Sequence, residues 1–335
     1  MKCIRTTALS LTASALLLAA TGCGAISKDS HESGTSETSA ADGASRAGAE
    51  PYDIKPLLHP GKKYFGMAAQ GVPASMKPVD DFAEAAGKKP NLIAYYAAWG
   101  DGFDAGHAMD VWDKGALPFI SWEPFKESLA DIAAGKSDDY IRRYAQSVRE
   151  LNIPVGITFA HEMNGHWYPW GAKTATAEQF VAAWKHIHDI FEQEKATTVI
   201  WTWSPNIIYP MPDVKLKPYW PGDEYVDWVG VIGYYVDNGP RTFQTLFGPT
   251  MTQVRTFTKK PFIIPETASA HGERKPADIN DLFKGVAARD DVLGFVWFNL
   301  KKESDWRIDS GPISKRTFRA NTEGDDFGFD PGKLG

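Results

Sequence analysis

Eight apolar runs alternate with helical patterns between residues 64 and 300. Each run is almost continuously apolar rather than alternating, which is typical of parallel strands buried on both faces. The runs are YFGMAAQ (64–70), NLIAYYAAW (91–99), ALPFISW (116–122), PVGITFAH (154–161), TTVIWTW (197–203), VDWVGVIGYY (226–235), KPFIIPE (260–266) and VLGFVWFNL (292–300).

The segments between these runs include amphipathic helices, predicted over 138–152, 176–195 and 278–290. The second opens with Thr174 or Thr176 near Glu178, a plausible helix start. Eight strands alternating with helices over roughly 250 residues predict an α/β fold, the (β/α)8 TIM barrel, as one catalytic domain. A doubly wound sheet is the alternative, but it usually has a Gly-rich phosphate turn after its first strand, and MAAQGVPAS (67–75) is not that turn.

A barrel of this kind carries its chemistry at the carboxyl ends of its strands. Polar and aromatic side chains gather at those predicted ends. They are Trp99, Asp101, Trp122, Glu123, His161, Glu162, Trp203, Asn206, Tyr234, Tyr235, Glu266, Trp297 and Asn299. We expect Trp122, Glu123, Trp203 and Asn206 to line a substrate site there.

Composition narrows the class of ligand. The net charge of −6 gives no excess of basic residues with which to bind nucleic acid, so we expect no nucleic-acid partner. Aromatic residues make up 13% of the 335 residues, with 12 Trp, which indicates a surface that stacks flat ligands in addition to a core.

The first 23 residues have the pattern of an export signal, with Lys2 and Arg5 before an apolar run that is too short to span a membrane. The ending LAATGC resembles a bacterial lipoprotein signal, in which Cys23 is acylated; an ordinary cleaved signal is the alternative. Residues 24–50 are polar and small and predict a disordered linker, followed by the catalytic domain over 51–335 with an irregular C-terminal tail. We therefore expect an exported protein, held to the membrane by a lipid on Cys23 or secreted.

The segment HEMNGHWYPWG (161–171) has two possible interpretations. A zinc peptidase helix needs two His four residues apart, whereas His161 and His166 are five apart and the segment follows a predicted strand. The other interpretation is a glycoside hydrolase, which needs two carboxyls flanking one bond, ~5–5.5 Å apart in retaining enzymes. Glu162 and Glu266, at the ends of strands four and seven, provide such a pair. Aromatic neighbours of Glu162 suit a general acid, and a tyrosine hydroxyl near Glu266, Tyr234 for example, would keep a nucleophile ionised.

Five motifs together resemble glycoside hydrolase family 26. They are HEMNGHWYPWG, WTWSPN (201–206), YWPGDEYVDWVGVIGYY (219–235), PETAS (265–269) and WFNLKKESDWRID (297–309). The resemblance implies a retaining (β/α)8 barrel enzyme. It implies that Glu162 is the acid/base, with His161 beside it contacting sugar or a carboxyl, and that Glu266 is the nucleophile. Tyr234 matches the tyrosine that contacts the nucleophile, and Trp167 and Trp297 match aromatics bordering the reacting sugar.

One departure concerns the sugar. The sequence SWEP (121–124) lies where many mannan-cleaving relatives are expected to carry a His. Because Glu123 occupies that place, the sequence does not decide which sugar is the substrate. We predict a monomeric endo-β-1,4-mannanase that needs no metal or organic cofactor and has a β-linked polysaccharide as its partner. The alternatives are an endo-β-1,3-1,4-glucanase, a xylanase, or a barrel that binds polysaccharide without cutting it.

Overall fold

The computed structural model describes residues 50–334, which form a closed barrel of eight parallel strands in sequence order. The strands are β1 (Tyr64–Ala68), β2 (Leu92–Ala98), β3 (Leu117–Glu123), β4 (Val155–Phe159), β5 (Val199–Trp203), β6 (Trp228–Gly230), β7 (Phe262–Thr267) and β8 (Val292–Phe298). β1 pairs with β8 from Tyr64 opposite Gly294 to Ala68 opposite Phe298, so the sheet has no free edge. The predicted TIM barrel is confirmed. The leader, the linker over 24–49 and Cys23 lie outside the described residues.

Helices follow the strands and cover the outside of the barrel. They are α1 (Lys55–Leu58), α2 (Lys77–Ala86), α3 (Ala105–Asp113), α4 (Leu129–Ala133), α5 (Asp138–Leu151), α6 (Ala177–Gln193), α7 (Phe243–Leu246), α8 (Gly248–Val254), α9 (Lys275–Ala287) and α10 (Pro312–Thr322), with short 3-10 turns at Lys217–Tyr219, Asp223–Tyr225 and Pro331–Lys333. The N-cap of α6 is Thr176, whose partner in the capping box is Gln179 rather than Glu178. α9 begins three residues earlier than predicted, because Pro276 suits the first turn of a helix.

Most strand residues are buried on both faces, as the continuous apolar runs predict. β2 is the exception, because its burial is lost from Tyr96 onward, where the strand reaches the mouth of the barrel. The predicted sixth strand, 226–235, is wrong in length, since regular pairing stops at Gly230. Beyond that point the chain keeps only single bridges, from Ile232 to Asn206 and from Tyr235 to Ser269, as it turns across the mouth.

The C-terminal tail runs across the barrel at the amino ends of the strands. Lys63 forms a bridge with Phe327 just ahead of β1, and the Lys88 ammonium donates to the carbonyls of Gly324 at 2.6 Å and Phe327 at 2.9 Å. The side-chain amide of Asn91, next to the start of β2, donates to the Phe329 carbonyl at 3.0 Å. This end of the barrel is therefore closed, and the carboxyl ends of the strands form its open mouth.

The first described residues lie at the same closed end. Asn152, immediately after α5 and ahead of β4, donates to the carbonyl of Glu50 at 2.9 Å and accepts from the backbone N–H of Tyr52 at 3.0 Å. The chain therefore enters the barrel opposite the mouth. Within residues 50–334, no helix is both long enough and apolar enough to cross a bilayer.

Candidate active site

The segment after β4 forms a series of tight turns rather than a helix. His161 is buried and His166 is exposed, so the two rings do not converge. Across residues 50–334, no group of three or more His, Cys, Asp or Glu side chains is arranged to hold a metal ion.

The turn places Glu162 at the mouth in an unusual backbone conformation. Its φ of 55° lies in the left-handed region, which residues other than glycine seldom occupy. Two backbone hydrogen bonds stabilise it, from the Glu162 N–H to the carbonyl of Ser204 at 2.7 Å and from the Gly165 N–H to the carbonyl of Glu162 at 2.8 Å. Such conformations cluster at functional sites, where the surrounding structure holds them in place.

Two donors hold the Glu162 carboxyl. The Trp167 indole N–H donates to Oε2 at 2.8 Å, and the Asn206 amide donates to Oε1. Asn206 is itself fixed by Asn164, whose side chain both donates to its carbonyl and accepts from its N–H, each at 2.9 Å. Asn206, predicted as a substrate contact, therefore lies at the carboxyl of Glu162.

Gly165 explains how the HEMNG motif positions the Trp167 indole. A Cβ atom at Gly165 would lie 2.5 Å from Cζ2 of Trp167, which is closer than real carbon contacts. The missing side chain lets the indole lie flat against the turn, where its N–H reaches Glu162.

Glu266 lies in an irregular part of β7. The pairing of β7 with β8 shifts register between Ile264 and Thr267, beside Pro265, which has no N–H for the ladder. Tyr234 donates its hydroxyl to Oε1 of Glu266, and Tyr96 donates to Oε2. The predicted contact between Tyr234 and Glu266 is present, and Trp306 packs on the Tyr234 ring at 5.0 Å between centroids.

The two carboxyls have different electrostatic environments. Burial, followed by the charge of Glu266, raises the pKa of Glu162 to about 7. Burial also raises the pKa of Glu266, but the hydroxyls of Tyr234 and Tyr96 oppose that rise by stabilising the anion. Glu162, with a pKa of about 7, is therefore suited to hold a proton near neutral pH, whereas the two tyrosine hydroxyls favour the anion of Glu266.

Glu123 is a third carboxyl in the mouth. Burial, then the charges of Glu266 and Glu162, raises its pKa to about 8. His161 lies beside it, with Nε2 at 3.9 Å from Oε1 of Glu123 and 3.2 Å from the Tyr168 hydroxyl. Because burial lowers the pKa of His161 to about 4, its ring is neutral. His161 is only 2% exposed, so it lies next to a carboxyl rather than open to a sugar.

Three predicted sugar contacts are wrong. Trp122, Trp203 and Trp297 are fully buried, and each indole N–H is used inside the protein, by the Tyr140 hydroxyl, the Tyr219 carbonyl and the Trp306 carbonyl. Successive side chains of a strand point to opposite faces, and these three point out of the barrel. Trp122, for example, stacks on Tyr144 of α5 at 4.3 Å.

Tyr96 is a site residue that sequence reasoning missed. It lies inside an apolar run and looks like core, yet it is 41% exposed and bonds to Glu266. The signal lies in the strand alternation combined with the register of β2 against β3, which the structure provides. Tyr96 pairs with Ser121 and Ala98 pairs with Glu123, so these four side chains lie on the same face of the sheet. Because Glu123 faces the mouth, Tyr96 faces it too.

We expect Tyr96→Phe and Tyr234→Phe each to lower kcat/KM by roughly 10- to 100-fold, the cost of removing a hydrogen bond to a charged group. Loss of a donor to the anion raises the pKa of Glu266, so the acid limb of the pH profile should move to higher pH. Tyr209→Phe is a matched control, because within residues 50–334 the Tyr209 hydroxyl donates to the Asn238 carbonyl and to no carboxyl. An acid limb that stays in place in both variants would contradict this role.

Comparison with known proteins identifies the family. A sequence model of Glycosyl hydrolase family 26 matches residues 132–295, which include both Glu162 and Glu266. Endoglucanase H of Acetivibrio thermocellus is 31% identical over 263 residues, 74% of this chain and 29% of that protein. Mannan endo-1,4-beta-mannosidase A and B of Caldalkalibacillus mannanilyticus is 32% identical over 109 residues, 30% of this chain and 20% of that protein. The chain thus spans less than a third of either relative.

A solved structure shares the fold. The catalytic domain of the GH26 endo-beta-1,4-mannanase of Bacillus sp. JAMB-750 superposes with a TM-score of 0.64 at 16% identity, covering 83% of this chain and 90% of that one. The barrel, the family match and the similarity to Endoglucanase H agree, and the chain belongs to glycosyl hydrolase family 26.

Proposed function

We propose that this chain is a retaining endo-β-1,4-mannanase in which Glu162 is the acid/base and Glu266 the nucleophile. The observation that carries the proposal is the unequal setting of Glu162 and Glu266. Glu266 receives two tyrosine hydroxyls that favour its anion, whereas the pKa of Glu162 is raised to about 7 by burial and by Glu266. Pairs of carboxyls with separated pKa values are the usual basis of glycoside hydrolysis.

The reaction has two displacements. In the first, a carboxylate oxygen of Glu266 bonds to the anomeric carbon, the glycosidic C–O bond breaks, and the departing oxygen takes the proton of Glu162. In the second, the Glu162 carboxylate takes a proton from water while the water oxygen attacks the same carbon and releases Glu266. Each residue ends in the protonation state in which it began.

Mannan is the preferred substrate in this proposal because the relative from C. mannanilyticus and the structural neighbour are both named as mannanases. β-Glucan is the second candidate, since the relative matched over 74% of this chain is named an endoglucanase. The chain spans 29% of that protein and 20% of the mannanase relative, so coverage favours neither name; mannan stands first because two further relatives are also named mannan endo-1,4-beta-mannosidase. Glu123, where a His was expected, keeps glucan as the alternative.

A polymer panel tests the proposal. We expect the purified chain to release reducing ends from β-mannan faster than from mixed-linkage β-glucan or β-xylan. NMR of the first products should show the β-anomer, because two displacements retain configuration. Faster release from mixed-linkage glucan would replace mannan with the second candidate. No release from any of the three would reject hydrolysis in favour of a binding protein.

A further inference from the structure

We propose that Glu123 is a specificity-determining residue, which binds a hydroxyl of the polysaccharide chain in the mouth of the barrel. This inference rests on the proposed function, because it needs a glycan in the mouth. It assigns a direct substrate contact to a side chain that is neither of the two glutamates of the double displacement.

The first observation is the direction of the side chain. Glu123 is the last residue of β3 and pairs with Ala98 of β2. Its neighbour Trp122 packs outward on α5 and α6, so the alternation of the strand turns Glu123 inward, to the mouth.

The second observation is that its carboxyl has no hydrogen-bond partner within residues 50–334. The Glu123 side chain is 14% exposed, and the ring nitrogen of His161 at 3.9 Å is too far for a hydrogen bond. Glu162 and Glu266, by contrast, each accept two donors. Buried polar groups are nearly always paired, so an unpaired carboxyl facing a substrate cleft is matched to a group that arrives with the substrate.

The third observation is the set of groups around it. Tyr96, whose hydroxyl bonds to Glu266, lies on the same face of the β2–β3 pair as Glu123. The His161 ring lies 3.9 Å from the Glu123 carboxyl and 3.2 Å from the Tyr168 hydroxyl. Because burial and Glu266 raise the pKa of Glu123 to about 8, its carboxyl is protonated near neutral pH. A protonated carboxyl both donates and accepts, as a sugar hydroxyl does.

The test compares Glu123→Ala and Glu123→Gln with wild type on β-mannan, mixed-linkage β-glucan and β-xylan at pH 7. We expect Glu123→Ala to lower kcat/KM on the preferred polymer by roughly 10- to 100-fold, because the sugar hydroxyl that Glu123 binds would lose its hydrogen-bond partner. The loss on the other polymers should be smaller, so the ratio between polymers changes. Glu123→Gln should stay close to wild type, because an amide also donates and accepts. Glu127→Ala is the control, an exposed glutamate four residues further on.

Different outcomes separate the two proposals. A wild-type chain that hydrolyses none of the polymers would reject the proposed function. An active wild type with Glu123→Ala unchanged on every polymer, or reduced by one common factor, would reject only the role of Glu123. If Glu123→Ala does not fold, Glu123→Leu replaces it, since leucine fills a similar volume without polar atoms and the same change in ratio is expected.

Discussion

Glu266→Ala is expected to abolish turnover, with kcat/KM lower by roughly 10⁵- to 10⁶-fold, the scale seen when a catalytic nucleophile is removed. An activated 2-deoxy-2-fluoro manno-oligosaccharide should label the wild-type chain, and peptide mass spectrometry should place the sugar on Glu266. The variant should carry no label, because the carboxylate that forms the covalent bond is missing.

Glu273→Ala is a matched control for this experiment. Glu273 is an exposed glutamate in the segment between β7 and α9, seven residues after Glu266, so its loss tests a general effect of removing a nearby charge. Label found on Glu162 or Glu123 in wild type would reassign the nucleophile. Turnover that survives in Glu266→Ala would reject the double displacement.

Glu162→Ala is expected to lower polymer hydrolysis by roughly 10²- to 10⁴-fold, the usual contribution of general acid–base catalysis. A dinitrophenyl glycoside needs no protonation to leave, so with that substrate the variant should form the glycosyl-enzyme and then stall. Azide should restore turnover by attacking the intermediate, and the product should be the β-glycosyl azide. Lack of rescue, or an α-azide, would contradict the role of Glu162.

The same residue sets the expected pH dependence. Glu162 must be protonated for the first step, and its pKa of about 7 means that kcat/KM falls as the pH rises above that value. Glu266 must be ionised, so kcat/KM also falls at acid pH. With the dinitrophenyl glycoside, Glu162→Ala should lose the alkaline limb and keep the acid limb.

The barrel could be predicted because its strands are buried on both faces. A run such as 154–161 is apolar at nearly every position, and that property depends on the layers of the fold rather than on any partner. The sixth strand was predicted too long because apolar residues continue past Gly230, where the chain is buried but no longer regularly paired. Burial is visible in a sequence, whereas continuity of a hydrogen-bond ladder is not.

The candidate site could be predicted only in part, because the sequence does not show on which face of a strand an aromatic side chain lies. Glu162 and Glu266 stand out because a charged residue at the end of an apolar run is unusual. Aromatic residues such as Trp122 and Tyr96 fit either face of a strand, so composition does not show which of them reaches the mouth. That depends on the register between β2 and β3, which pairs Tyr96 with Ser121 and leaves Trp122 against the helices.

The closed end of the barrel has a consequence for how the enzyme meets a polymer. The chain enters at Glu50 beside Asn152, opposite the mouth. Whatever precedes Glu50 is therefore joined to the domain at the end remote from the cleft, and a long glycan lying across the mouth does not meet the point at which the chain enters the barrel.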